Sequence, residues 1–103
     1  MIRPWQEDDR PFLRTLYLHA RRVAWPWLDN SEWQLEDFDA ATRDEQIWVA
    51  IHDGHRVGFA SVWENDNFLH NLFVDPLYQR LGVGRLLLEQ VQRTFTSTGA
   101  LKC

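Results

Sequence analysis

The sequence predicts a single α/β (α+β) domain built on a mixed sheet, with elements in the order β-α-α-β-β-β-α-β. Three observations carry that expectation. Apolar residues run or alternate in short β-branched and aromatic stretches, and elsewhere recur at helical spacing. Asp53-Gly54 separates two of those stretches and marks a tight hairpin, because the pair tolerates the positive φ angles such a turn needs. The run from Val74 to Leu88 then passes from a strand, through a proline turn, into a glycine-spaced loop that opens an amphipathic helix.

The elements follow in order. Ile2-Arg3-Pro4-Trp5 reads as a short first strand that Pro4 confines to an edge or end. Asp8 and Asp9 are N-cap candidates and Pro11 suits a first helical turn. Leu13, Leu16, Tyr17, Ala20 and Ala24 continue at helical spacing, and the helix ends at Trp25-Pro26-Trp27, since a proline pushes the preceding residue out of the α region. Ser31-x-x-Gln34 fits a capping box and predicts a second short helix over residues 32 to 41. Gln46 to Ile51 and Arg56 to Trp63 are the arms of the hairpin, and the polar turn Glu64-Asn65-Asp66-Asn67 leads to a strand from Phe68 to Val74. After the glycine loop, Val83, Leu86, Leu87, Val91 and Phe95 mark one helix face, with Gly99 as its C′ residue. Ala100 to Cys103 opens a further strand, which the right-handed crossover rule makes parallel to Phe68–Val74.

Composition narrows the function classes. At 103 residues the chain is one domain, spanning 1–103, and its net charge of −4 without a basic block argues against a nucleic-acid surface. No apolar run reaches the length of a membrane span, and the first residues do not begin a signal peptide. Cys103 is the only cysteine, so no internal disulfide is possible and a reducing cytoplasm is the expected location. The scattered histidines and terminal cysteine give no metal-ligand spacing, so no metal site is expected.

The glycine loop carries the functional signal. A helix N-terminus offers unpaired N–H groups and partial positive charge, and Gly82 and Gly84 let that backbone approach a pyrophosphate. The spacing is neither the P-loop, which needs Gly-Lys-Ser/Thr, nor the dinucleotide G-x-G-x-x-G. Leu72, Val74, Pro76, Gln79, Gly82 and Gly84, with the leucine-rich helix behind them, resemble the acyl-CoA-binding motif of the GCN5-related N-acetyltransferases (GNAT). The resemblance implies the acyl-CoA N-acyltransferase fold, of which this chain carries the N-terminal and central part. It also implies acetyl-CoA as cosubstrate and a small-molecule or peptide amine as acceptor.

By that resemblance, Leu72, Phe73 and Val74 would hold the pantetheine arm through main-chain hydrogen bonds, as if it were an added strand. Gln79, Arg80, Leu81, Gly82, Val83, Gly84 and Arg85 would wrap the pyrophosphate. Arg80 and Arg85 sit unfavourably beside a helix N-terminus unless an anion binds there. Many family members carry a glutamate as base early on the strand before the loop. Asn67-Phe68-Leu69-His70-Asn71 has none, which leaves His70, a group that titrates near neutrality, as the candidate base. Trp25 and Trp27 fall where the family roofs its acceptor site. The competing reading of His70 is a histidine packed on the sheet surface, and that of the tryptophans is core packing between helices. His52 and His55 read as solvated hairpin residues, and Asp75 as a turn residue.

The family continues through a full fifth strand, a helix and two closing strands, and these supply much of the acceptor pocket and the tyrosine that protonates the departing thiolate. Three readings therefore stand: an N-acetyltransferase acting by direct attack of an amine, a non-catalytic CoA-binding or interaction module, and a homodimer completed by strand exchange.

Overall fold

The computed structural model describes residues 1–29, 31–63 and 68–95, with the side chain of Phe95 outside that description. Strands β1 (Ile2–Pro4), β2 (Gln46–His52), β3 (His55–Trp63) and β4 (Phe68–Val74) form an antiparallel sheet in the order β1-β2-β3-β4. The helices among the described residues are α1 (Arg10–Ala24), α2 (Asp37–Ala41) and α3 (Val83–Phe95). Short 3₁₀ turns at Glu7–Asp9 and Pro76–Leu81 precede α1 and α3. The α+β class and the element order through α3 match the expectation. The turn at 64–67, Gly99 and the parallel strand from Ala100 lie outside the described residues.

Strand alternation divides the core between the two sheet faces. Ile47, Val49 and Phe59 face α1 and α2, packing with Leu13, Leu16 and Phe38. Ala50, Ala60 and Val62 face α3, packing with Val83, Leu87 and Val91. Asp53 and Gly54 take φ of 51° and 80°, the conformation the hairpin requires. Gly58 performs a different task. A Cβ there would lie 2.8 Å from the Phe73 carbonyl oxygen and 3.3 Å from Leu87 Cδ1, so only glycine lets α3 sit this close to β3.

Two elements differ from expectation. Helix α2 begins at Asp37 rather than near residue 32. The capping relation sits three residues later than Ser31-x-x-Gln34: the Asp37 carboxylate accepts from the Gln34 N–H at 3.0 Å. What holds so short a helix is tertiary: Phe38 is fully buried, while Asp37 pairs with Arg21, and Asp39 with Arg10 and Arg14, across to α1. Leu86, expected on the buried face of α3, is 50% exposed, because among the described side chains of α3 it is Val83, Leu87 and Val91 that form the buried stripe meeting the sheet.

Asp9, expected as an N-cap, stands at that position but makes no side-chain bond to α1. Its carboxylate is fully buried and accepts from Arg3 at 2.8 and 2.9 Å, from Arg56 Nε, and from the Gln6 N–H at 2.8 Å. The cluster ties β1, β3 and the start of α1 together. Hydrogen bonds from Arg3, opposed by burial and reinforced by Arg56 and Gln6, hold the carboxyl well below the usual carboxylate range.

Because the folded-state pKa of Asp9 is depressed, its contribution is complete above the unfolded pKa, near 4, and is lost as pH falls toward the folded value. Asp9→Asn should therefore cost about 3 kcal/mol at pH 7 in equilibrium urea unfolding, and the gap to wild type should narrow below pH ~4. Gly58→Ala should cost about 1–3 kcal/mol in the same measurement, since the β4 backbone or α3 must move to admit the methyl group.

Candidate active site

Strand β4 is paired on one side only among the described residues. Its register with β3 sets Phe59 opposite Phe73 and Gly58 opposite Val74, and the Asp75 N–H donates to the Val57 carbonyl at 2.7 Å. Antiparallel alternation therefore turns the backbone groups of Asn71, Phe73 and Asp75 toward β3, and those of Leu72 and Val74 toward the free edge. The Val74 carbonyl is met there by Gln79 Nε2 at 3.3 Å. Phe73 contributes its ring instead, at 5.5 Å from Tyr17 and 5.6 Å from Phe59. Beside this edge is a cleft of about 240 Å³ between β4 and the end of α1, lined by Ala20, Val23, Ala24, Leu72, Val74 and Gln79 among others.

At its C-terminal end, β4 leads into the glycine loop. Asp75 caps the 3₁₀ turn by accepting from the Leu77 N–H at 3.0 Å. Gly82 then takes φ 77°, ψ 14°, and α3 starts at Val83. The Leu86 N–H donates to the Gly82 carbonyl at 3.1 Å, so the N–H groups of Val83, Gly84 and Arg85 have no acceptor within α3. A Cβ on Gly82 would meet nothing within 4 Å, so the space before this amide row is open. Leu81 and Arg80 are exposed, whereas the Val83 side chain is core. Arg85 is also exposed, and its Nε pairs with Glu89 at 3.1 Å.

At the other end of β4, the register slips between Ser61 and Val62: Asn71 faces Ser61 while Leu69 faces Val62. His70 is thus the extra residue of a β-bulge, a device that re-aims a side chain. Asn71 is buried and donates to Ser61 Oγ at 2.8 Å. His70 Nδ1 lies 2.8 Å from Glu45 Oε2. An ionised carboxylate can only accept, so a proton on Nδ1 completes this bond, and in the neutral ring with that tautomer Nε2 is the acceptor. Glu45 reaches this place through the turn after α2, where its N–H donates to the Thr42 carbonyl at 3.1 Å and Asp44 adopts φ 61°. His70 and Glu45, with Ala40, Ala41, Arg43, Trp63 and Phe68, line a cavity of about 500 Å³.

A sequence model of the acetyltransferase (GNAT) family matches residues 2–103. The chain belongs to that family. It is 33% identical to the peptidyl-lysine N-acetyltransferase YiaC of Escherichia coli (strain K12), over 90% of this chain and 65% of that protein. It is 39% identical to the uncharacterized N-acetyltransferase YafP of the same organism, over 64% of this chain and 39% of that one. The chain thus spans less than two thirds of the curated relatives it matches. In fold it is similar to the PaiA N-acetyltransferase of Thermoplasma acidophilum in complex with coenzyme A, with a TM-score of 0.77 at 16% identity over 97% of this chain and 74% of that chain. A GCN5-related N-acetyltransferase from Rhodopseudomonas palustris gives 0.74 at 24% identity, over 97% and 68%.

Within this GNAT chain the expected site residues divide into three groups. Leu72, Val74 and the amides from Gln79 to Arg85 lie along one continuous stretch, and His70 stands at its far end. Trp25 and Trp27 lie at and beyond the end of α1, exposed, and line neither cavity described above. Trp33 packs under the Arg21 guanidinium, 4.3 Å from its ring centroid. Glu45 was not among the expected site residues, since Arg43-Asp44-Glu45 carries no motif. Gly58 was not anticipated either, although an isolated glycine inside a strand pattern signals close backbone approach. Among the described residues no group of histidine, cysteine and carboxylate side chains could hold a metal, and no helix is long and apolar enough to cross a membrane.

Gly82→Val should abolish coenzyme A binding by calorimetry while leaving a folded chain, at a cost of about 1–2 kcal/mol for the positive φ. Normal affinity in that variant would remove the loop from phosphate binding.

Proposed function

We propose that this chain moves an acetyl group from acetyl-CoA to a primary amine by direct attack on the thioester. The observation that carries the reading is the edge of β4 left unpaired among the described residues, which runs from an open amide row at one end to a histidine-bearing cavity at the other. From Val74 to His70 is about 14 Å at 3.4 Å per residue, a span suited to an extended pantetheine arm. Backbone groups of Leu72 and Val74 would hold that arm. The amides of Val83, Gly84 and Arg85 would hold the pyrophosphate, with Gln79, Arg80, Leu81 and Gly82 shaping the approach.

Acetyl-CoA supplies the activated acyl group. His70 Nε2, held as an acceptor by the Glu45 carboxylate, takes one proton from the acceptor ammonium. The neutral amine then attacks the carbonyl carbon, the C–N bond forms and the C–S bond breaks. The second amine proton leaves with the thiolate, giving the amide, free CoA, and one proton that returns to solvent. Because the relative YiaC is a peptidyl-lysine N-acetyltransferase, a lysine side chain heads the acceptors to try.

The test is thiol release from acetyl-CoA by the full chain against lysine peptides, polyamines and small amines. Turnover with a primary amine supports the reading. Coenzyme A binding without turnover leaves the non-catalytic binding module, and absence of binding removes both. His70→Ala should lower kcat by about 10²-fold and change the shape of the pH–rate profile. An unchanged profile would exclude His70 from the proton transfer.

A further inference from the structure

The cavity at the bulge contains a polar group the fold leaves unsatisfied. The Glu45 side chain is 7% exposed, and its Oε2 is occupied by His70. Its other oxygen, Oε1, is buried and has no hydrogen-bond partner among the described residues. Such an oxygen has lost its hydration without compensation, and one that persists calls for a ligand, a water or an ion. Glu45 itself lines the cavity beside His70, with Oε2 held on the histidine. Among the described residues, Trp63, Phe68, the small residues Ala40 and Ala41, and Arg43 also line the cavity. Aromatic faces attract a cation, and small apolar walls accommodate an alkyl chain.

We propose that this cavity recognises the primary ammonium group at the end of an alkyl chain, with Glu45 as its anionic anchor. The inference rests on the acetyl-transfer reading and specifies its acceptor. The ammonium donates to Glu45 Oε1, supplying the partner that oxygen lacks. The chain lies against Trp63, Phe68 and the two alanines. Arg43, exposed on the same wall, repels a second positive charge, so the site favours a single terminal ammonium, as in a lysine side chain, over a polyamine. The bulge brings the same ammonium within reach of His70, the proposed proton acceptor. Glu45 thereby has two tasks, one for each oxygen: fixing the histidine tautomer and holding the substrate.

Binding of Nα-acetyl-lysine methylamide and of its uncharged isostere Nα-acetyl-norleucine methylamide to the full chain, without acetyl-CoA, tests this by calorimetry. The lysine compound should bind at least about tenfold more tightly, the difference expected of a charge-assisted hydrogen bond. Glu45→Gln should erase that preference and raise KM for the lysine compound by about tenfold, while coenzyme A affinity stays unchanged. Equal binding of the two compounds by wild type overturns the proposal, and this arm stands even where the variant does not fold. A preference retained in folded Glu45→Gln overturns it as well. Coenzyme A binding without the ammonium preference sinks this inference alone. The preference without coenzyme A binding supports the pocket and sinks the acetyl-transfer reading.

Discussion

Among the described residues β4 pairs with β3 on one side only, and the rest of the molecule depends on that constraint. A strand carries two rows of backbone hydrogen-bonding groups, and the ladder to β3 consumes those of Asn71, Phe73 and Asp75. The other row, at Leu72 and Val74, faces outward, where it can treat an extended ligand as one more strand. Such an edge is useful only if the strand is held firmly from its paired side. Phe73 does this on one face through contacts with Tyr17 and Phe59, and Val74 does it on the other by packing against the α3 cluster.

The two helical layers divide the work accordingly. Helix α3 aligns its N-terminus with the outgoing end of β4, and its buried residues Val83, Leu87 and Val91 lock that alignment. Helices α1 and α2 build the opposite face, stitched by arginine–aspartate pairs and anchored by Phe38. Asp9 joins the halves, because Arg3 lies on the outermost strand and Arg56 on β3. A buried carboxylate between two guanidinium groups is a costly join, and it is stable only because each lone pair has a donor.

Local signals were legible in the sequence and distant ones were not. The hairpin at Asp53-Gly54 and the span of β4 were readable because turn chemistry and strand patterning act over a few residues. The glycine loop was readable for the same reason, since a helix N-terminus and its glycines are contiguous. Helix α2 was misplaced because Ser31-x-x-Gln34 permits a cap without requiring one, while Phe38 and the arginines of α1 determine where the helix forms. Asp9 looked like an ordinary cap because its arginine partner on β3 is 47 positions away. Glu45 gave no signal, since its burial follows from a left-handed residue at Asp44 and from a bulge on β4, a strand to which β2 is not even paired.

The close approach at Gly58 gives the strand an unequal capacity for change. Beside Val74 the backbone of β3, the Phe73 carbonyl and Leu87 leave no room even for a methyl group, so substitution there disturbs several elements together. Around His70 the ladder is already interrupted, and the neighbouring side chains of Trp63 and Arg43 are exposed. Inherited variation can therefore collect at one end of β4 and leave the other as it was. On the acetyl-transfer proposal, a lineage built on this strand would drift in which amine it accepts long before it drifted in the carrier of the acyl group.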